Sequence, residues 1–237
     1  LVVTFTVIFS MPFIYYTIKL EESKITSTSG SIALLKEHKK ALYAFLFLFL
    51  GFIVAFSFWY SVLDSTQSFK AQIETFCLIN RPSNFNNCVE QYGIKDSFVK
   101  TTAAATSTER LFLIFTNNIY VSIFTLVFSL LFGAGVIFIL AWNATVISAA
   151  IGIFAKSQIN ALPFGIARYM FHGLFEIAAY FIIALAGGLI SVAVIRHEIG
   201  TDKFWEVLHD SFNLIIVALI VLFLAAILEV FVTPLLF

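Results

Sequence analysis

The stretch from Leu111 to Ala155 contains 45 consecutive residues without Asp, Glu, Lys or Arg. A second uncharged run, 23 residues long, covers Ala41 to Leu63. A helix that crosses a bilayer needs roughly 20 apolar residues. Backbone amides in hydrocarbon must be satisfied within the spanning element, and these runs are continuous rather than alternating, so helices fit and barrel strands do not. The sequence therefore predicts an all-α, polytopic transmembrane helical bundle.

The composition agrees with a membrane location. Only 12% of the residues are charged, about half the share that is usual in soluble domains. Such a small number of charges cannot cover the water-exposed surface of a 237-residue chain. The 14 basic and 14 acidic residues cancel, so the chain lacks the basic excess that nucleic-acid binding requires. The lipid bilayer is therefore the expected partner, and nucleic acid is not.

The first predicted span, Leu1 to Ile18, opens the chain without a Met. We therefore expect a longer protein, with a further segment before Leu1. A secretory signal peptide fits poorly, because the run lacks a basic amino-terminal region and is followed by Lys19 rather than by a small residue.

The lysines predict an orientation in the membrane. The loop 19–40 holds five lysines in 22 residues, whereas the segment 64–110 spreads five basic residues over 47. By the positive-inside rule, the loop 19–40 is cytoplasmic and the segment 64–110 is extracytoplasmic. The chain then divides into an amino-terminal transmembrane hairpin (1–63), this outer segment, and a membrane core (111–237).

The outer segment contains Cys77 and Cys88, which are the only two cysteines. A disulfide is expected if this face is oxidising; otherwise the two thiols are small buried groups. Thr106 is followed three residues later by Glu109, just ahead of an apolar run. This is a capping-box pattern, which predicts the start of a helix.

The 45-residue run is long enough for two spans and can be divided in two ways. A break at Gly133-Ala134-Gly135 gives two full spans. A break at Asn143 leaves residues 143–155, which are too few to cross and would form a short re-entrant half helix. Asn tolerates the left-handed conformation that ends helices, so we favour Asn143 and about five full spans.

Ionisable groups within spans are costly, which makes them candidates for function. His172 and Glu176 lie four residues apart on one helix face, and Glu229 lies in the last span. We predict that they form a polar cluster with Asn143. In the simpler interpretation, His172 sits at the interface, Glu176 only locks two helices together, and Glu229 reaches water. Nearby, Gly187 and Gly188 predict the close approach of another helix.

Three functional classes compete for this cluster. A metal site would use His172 and Glu176 with Glu229, His197 or His209, but the zinc-protease pattern His-Glu-x-x-His is absent. The sequence contains no nucleophile elbow, so it does not favour nucleophilic catalysis. Passage of a proton or cation is the more serious rival, because His-Glu pairs and broken helices mark transport sites. Against this interpretation, the chain has six helices at most and no visible inverted repeat, which is little for a transporter that works alone.

Three segments carry a family resemblance. NNIYVSIFTLVFSLLFGAGVIFILAWNATVISAAIG contains paired Asn residues, a Gly-x-Gly and a later Asn; FHGLFEIAAYFIIALAGGLISVAV contains His-Gly, a Glu and a glycine pair; ILEVFVTP closes with Glu-x-x-x-Thr-Pro. Together they resemble the stage II sporulation protein M family, most firmly over 117–234. MPFIYYTIKLEE, LLKEHKKAL and FLFLGFIVAFSFWY are similar to members with an extra amino-terminal hydrophobic hairpin.

The resemblance implies roles for individual positions. The motif residues, which would break or pack helices or join the polar cluster, are Asn117, Asn118, Gly133, Gly135, Asn143, His172, Gly173, Glu176, Gly187, Glu229, Thr233 and Pro234. The family usually has Gly after the third Asn, where this chain has Ala144. The resemblance also implies an integral membrane protein whose sporulating relatives act, as scaffold-like subunits, in an envelope-remodelling complex. It implies no established reaction.

The sequence thus predicts a non-enzymatic multi-pass membrane protein that serves as a scaffold or subunit of an envelope-associated complex. It also predicts a homodimer without a cofactor. A transporter or channel-type protein that uses the cluster for a proton or cation is the alternative. An intramembrane metal-dependent enzyme comes third.

Overall fold

The computed structural model describes residues 2–22, 36, 38–63, 66–80, 84–94, 106–132, 136–157 and 162–236. Over these ranges all regular secondary structure is helical. The six long helices are α1 (Val2–Glu22), α2 (Lys39–Val62), α5 (Ser107–Phe132), α6 (Val136–Ser157), α7 (Leu162–Ile195) and α8 (Asp202–Ile227). The short helices are α3 (Lys70–Asn80), preceded by the 3₁₀ turn Thr66–Phe69, and α4 (Phe85–Gln91). A π-helical turn, Leu228–Val232, continues α8 into α9 (Thr233–Leu236).

Four of the described helices are long and apolar enough to cross a membrane: α2, α5, α7, and α8 together with its extension to Leu236. Helices α1 and α6 contain shorter apolar stretches, 3–17 and 137–153. The prediction of an all-helical, multi-pass membrane protein is therefore confirmed in its architecture.

The predicted break at Asn143 is wrong. Helix α6 runs through this residue without interruption, and the Asn143 side-chain amide donates to the carbonyl of Ile139 one turn earlier, at 2.9 Å. The amide is thereby satisfied inside its own helix and has no need to end it. The described parts of the 45-residue run form two helices, one that ends at Phe132 and one that begins at Val136. Gly133 and Gly135, where the alternative division places the break, lie outside the described residues.

Helix α7 lies at the centre of the bundle. In its most apolar part 83% of the residues are buried, against 28% in α2 and 17% in α5. It packs against α5, α6 and α8, and α1 also contacts it. A helix that is apolar on all sides can be buried by protein on all sides, and the neighbouring helices then meet the lipid.

Two close contacts show that α2 and α6 run in the same direction. Ser148 donates a hydrogen bond to the carbonyl of Ile53 at 3.0 Å. Gly152 lies one turn beyond Ser148 on α6, and Tyr60 lies two turns beyond Ile53 on α2. A Cβ atom placed on Gly152 would overlap the ring of Tyr60. Both helices therefore approach the same end of the bundle as the chain proceeds.

Helices α5 and α7 also run parallel to each other. Asn118 contacts Glu176, and further along both helices a Cβ on Gly187 would lie 2.7 Å from the Cβ of Ser129. Helix α8 returns antiparallel to α7 after a turn in which Lys203 pairs with Glu198 at 2.9 Å.

The described residues between α2 and α5 form a second, smaller core together with the ends of α2 and α6. We call residues 66–80 and 84–94 the cap. Cys77 and Cys88 form a disulfide and are 0% and 1% exposed. The apolar side chains around them pack together with Tyr60 of α2 and the end of α6, including Ile153. Gln72 of the cap donates a buried hydrogen bond to Thr145 of α6 at 3.2 Å.

Candidate functional site

Asn118, on the buried face of α5, is the centre of a hydrogen-bonded group between helices. Its side-chain NH₂ donates to the Glu176 carboxyl at 2.8 Å, and its carbonyl oxygen accepts from the Tyr180 hydroxyl at 3.1 Å. Glu176 and Tyr180 are one turn apart on α7. One amide therefore joins α5 to α7 through two hydrogen bonds.

His172 contacts the carboxyl-terminal end of the last helix. Its Nδ1 lies 3.3 Å from the Thr233 hydroxyl, which also lies 2.9 Å from the carbonyl of Leu228. A hydroxyl has a single hydrogen, and the Leu228 carbonyl can only accept. The Thr233 hydroxyl therefore donates to Leu228 and accepts from a proton on Nδ1 of His172. This contact joins α7 to the segment that follows α8.

The π-helical turn explains the position of the last carboxyl group. The Thr233 backbone N–H reaches the carbonyl of Leu228, five residues earlier, and Pro234 has no N–H to continue the α-helical pattern. Single π turns inside α-helices widen the helix locally and occur often at functional sites. Glu229 lies in this turn, where it interacts electrostatically with Glu176.

We use the name polar cluster for Asn118, His172, Glu176, Tyr180, Glu229 and Thr233. Asn118, His172 and Glu176 come from the first halves of α5 and α7, Tyr180 lies just past the middle of α7, and Glu229 and Thr233 come from the end of the last helix. The polar cluster therefore lies in the half of the bundle that is nearer the cap. Arg110, exposed near the start of α5, interacts electrostatically with Glu229. Thr106 and Glu109 form the predicted capping box next to it, with hydrogen bonds of 2.7 and 3.3 Å.

The buried face of α5 is polar along its length. Its buried residues, among the side chains described, are Asn118, Ser122, Thr125 and Ser129. The hydroxyls of Ser122 and Thr125 donate to backbone carbonyls one turn earlier, at 2.7 and 2.8 Å. Past the polar cluster, this face meets Gly187, where an added Cβ would lie 2.7 Å from Ser129 and 3.2 Å from the backbone oxygen of Leu126.

Some of the predicted site residues lie elsewhere. Asn143 does not join the polar cluster, since its amide bonds to its own helix. Asn117 is exposed well inside α5 and does not open that helix. Gly173 lies within α7, where a Cβ would meet no atom within 4 Å; it therefore neither breaks the helix nor packs against a neighbour. Gly187 packs as predicted, and Gly188 is buried beside it.

Tyr180 is the member that the sequence interpretation missed. Its position four residues after Glu176 places it on the same helix face, and this spacing was the available signal. Asn118 was recognised only through the family motif, as a packing residue, although it makes the central contacts.

The polar cluster offers a poor ligand set for a metal ion. Among the described residues, no three His, Cys, Asp or Glu side chains are grouped as a metal site requires. His197 lies in the turn after α7, and His209 lies in the first half of α8, where it contacts Asn213 at 3.3 Å. His197 lies 17 residues after Tyr180 and His209 lies 20 residues before Glu229, so each is more than four helical turns from the cluster and neither supplies a further ligand.

Comparison with known families agrees with the motifs. The family model for stage II sporulation protein M matches residues 42–234, which leaves out α1 and includes the whole polar cluster. Comparison with curated proteins and with solved structures gives no match. Because the match covers more than four fifths of the chain, this integral membrane protein belongs to the stage II sporulation protein M family.

Proposed function

We propose that the protein is a non-enzymatic membrane scaffold, a subunit of an envelope-associated complex in which the polar cluster fixes the arrangement of the helices. The observation that carries this proposal is the mutual hydrogen bonding of the cluster. Asn118 ties α5 to α7, and His172 ties α7 to the end of the last helix. Polar side chains are a recognised means of joining helices in lipid, where the hydrophobic effect does not drive helices together.

The close packing beyond the cluster supports a scaffold over a transport path. A path through the bundle would have to continue along the polar face of α5 towards its other end. At Gly187 the backbones of α5 and α7 approach so closely that one methyl group would lie 2.7 Å from Ser129. An added methyl group would already overlap Ser129 at this point, so a water molecule does not fit between the two helices there.

We further propose that the cap and the polar cluster face the outside of the cell. Two independent features support this orientation: the lysines of the loop 19–40, which favour the cytoplasm, and the disulfide between Cys77 and Cys88, which persists in oxidising compartments. The parallel course of α2 and α6 then takes both helices outward. We also propose that the protein acts as a homodimer, because twofold symmetry is the commonest arrangement among soluble homo-oligomers.

Two substitutions of Glu176 test the scaffold proposal. Glu176→Gln keeps an oxygen that accepts from Asn118 but cannot take up or release a proton, whereas Glu176→Leu removes the acceptor. We expect the thermal stability of the detergent-purified protein to change little in Glu176→Gln and to fall clearly in Glu176→Leu. Equal stability of wild type and Glu176→Leu would contradict a structural role.

The alternative is passage of a proton or cation through the cluster. The electrostatic interaction of Glu229 with Glu176 on one side and with Arg110 on the other favours it as the second candidate. Measurement of proton or cation flux into liposomes that contain the protein decides between the scaffold and the transport proposals. A pH- or voltage-driven flux that is abolished in Glu176→Gln would replace the scaffold proposal, while liposomes without such a flux would support it.

A further inference from the structure

Asn117 is a polar side chain on the outer face of a helix that is apolar enough to cross the membrane. The spanning part of α5 is Ser107–Leu130, and no charged residue follows Arg110 within it. Asn117 lies seven residues beyond Arg110, about 10 Å along the helix axis. The Asn117 side chain is exposed and makes no hydrogen bond to the described part of the chain. It therefore points into the hydrocarbon layer without a partner from its own protomer.

An amide group in hydrocarbon is costly unless it is hydrogen-bonded. An Asn side chain has two N–H donors and an acceptor oxygen, and lipid tails satisfy none of them. The neighbouring Asn118 bonds to Glu176 and Tyr180, and Asn143 bonds to the carbonyl of Ile139 in its own helix. Asn117 differs from both, so its partner has to come from outside the described protomer.

Asn117 belongs to a regular stripe along α5, which we call the α5 seam. The members of the α5 seam are all exposed and are Leu113, Asn117, Tyr120, Phe124 and Val127. Successive members are four, three, four and three residues apart, which is the repeat at which two helices pack side by side along their length. Ring contacts with Phe128 and Phe138 hold Phe124 on this face. The α5 seam thus has the pattern of a helix-pairing surface, and it faces away from the buried polar face of α5.

We propose that the α5 seam is the interface of the homodimer and packs against the same seam of a second copy of this chain. Two copies share one orientation in the membrane, so the twofold axis that relates them is perpendicular to the membrane plane. Their α5 helices then run parallel, and each residue at the axis meets its own counterpart. This inference rests on the homodimer of the proposed function and names its interface.

The chemistry of Asn117 favours a second copy over an unrelated helix. The amide is self-complementary, because the N–H of one Asn donates to the oxygen of the other in both directions. A second copy presents this group at the same depth in the membrane, whereas an unrelated apolar helix would leave Asn117 unpaired. A single Asn at such a position is a known device that fixes the register and the number of paired helices.

The first test measures dimerisation in lipid vesicles by energy transfer between copies that carry a donor or an acceptor dye at the carboxyl terminus. Asn117→Leu should raise the dimer dissociation constant about tenfold, as the loss of two hydrogen bonds between membrane helices predicts. Asn143→Leu is the matched control, because it removes an amide that bonds only to its own helix, and it should dimerise like the wild type. An unchanged constant in Asn117→Leu, or an equal rise in both variants, would overturn the proposal.

Cross-linking in the same vesicles tests the parallel arrangement. Cys77 and Cys88 are bonded to each other, so one introduced cysteine supplies the only free thiol. A short bismaleimide should join two Leu113→Cys protomers and few Phe112→Cys protomers, since the adjacent residue points about 100° away around the helix axis. Equal cross-linking of the two variants would contradict the α5 seam.

The results distinguish the interface from the proposals on which it rests. A wild-type protein that stays monomeric in vesicles would overturn the homodimer and its interface together. A dimer that persists in Asn117→Leu would overturn the interface alone. Because Asn117 makes no hydrogen bond within the described protomer, Asn117→Leu should leave the unfolding of dilute, monomeric protein unchanged. The stability tests of Glu176 do not depend on any of these results.

Discussion

The cap and the α5–α7 contact are held together in opposite ways. The buried residues of the cap are mainly apolar and surround a disulfide, whereas the described buried residues of α5 are all polar. Water drives apolar side chains together. Lipid exerts no such force, so helices within it are joined by close packing and by hydrogen bonds. The difference predicts that the two regions respond to different substitutions.

The largest effect is expected for Asn118→Leu. This change leaves the partly buried Glu176 carboxyl and the buried Tyr180 hydroxyl without their partner. The expected cost is about 4 kcal/mol in the free energy of unfolding, because each orphaned group costs roughly 1–3 kcal/mol. Unfolding by SDS in mixed micelles measures it. Asn117→Leu, on the exposed face next to it, is the control and should have little effect. Similar losses in the two variants would show that the hydrogen bonds of Asn118 contribute nothing.

Removal of the disulfide should weaken the cap and spare the bundle. The bond links residues that are 11 apart in sequence, and closing a loop of that size stabilises by about 3 kcal/mol in the chain-entropy account. In the double variant Cys77→Ala/Cys88→Ala, backbone amide hydrogen exchange should speed up in α3 and α4 and stay slow in α7. Faster exchange throughout α7 would mean that the cap and the bundle unfold as one unit.

Gly187→Ala should disturb the packing of α5 against α7. The added methyl group would lie 2.7 Å from the Cβ of Ser129, and such overpacking costs about 2 kcal/mol. Gly173→Ala is a matched control on the same helix, because its Cβ meets no atom within 4 Å. A melting temperature in detergent that falls for Gly187→Ala alone is the expected result, and equal melting temperatures for both variants would contradict the close approach.

Tyr180→Phe should have the smallest effect. It removes only the hydroxyl that donates to Asn118 and leaves an amide oxygen that can find another donor, so we expect a loss of about 1 kcal/mol. The same SDS titration detects it. A loss of unfolding free energy as large as that of Asn118→Leu would mean that the Tyr180 hydroxyl contributes more than one hydrogen bond.

The sequence predicted the parts of the fold that depend on local pattern. Continuous apolar runs predicted the helices, and Thr106 with Glu109 predicted the start of α5, because a capping box involves residues only three apart. The helix break predicted at Asn143 is wrong for a physical reason. An Asn side chain can end a helix or bond to the carbonyl one turn earlier, as Asn143 does with Ile139, and the residue type alone does not distinguish the two.

The sequence predicted the ionisable residues of the candidate site but not the residues that they contact. His172, Glu176 and Glu229 are conspicuous in apolar segments, and the structure places them at one end of the bundle. Their partners Asn118 and Thr233 are 58 and 61 residues away in sequence. Which helix faces meet depends on the packing of α5 and α8 around α7, and periodicity within one helix does not reveal it.

A double-mutant cycle between Asn118 and Glu176 tests the central claim, that the polar cluster joins the helices, most directly. The free energies of unfolding of wild type, Asn118→Ala, Glu176→Ala and the double variant are measured by SDS titration in mixed micelles. A direct hydrogen bond predicts a coupling free energy of about 1 kcal/mol, within the range found for such bonds between membrane helices. Additive effects, with a coupling below about 0.3 kcal/mol, would contradict the claim.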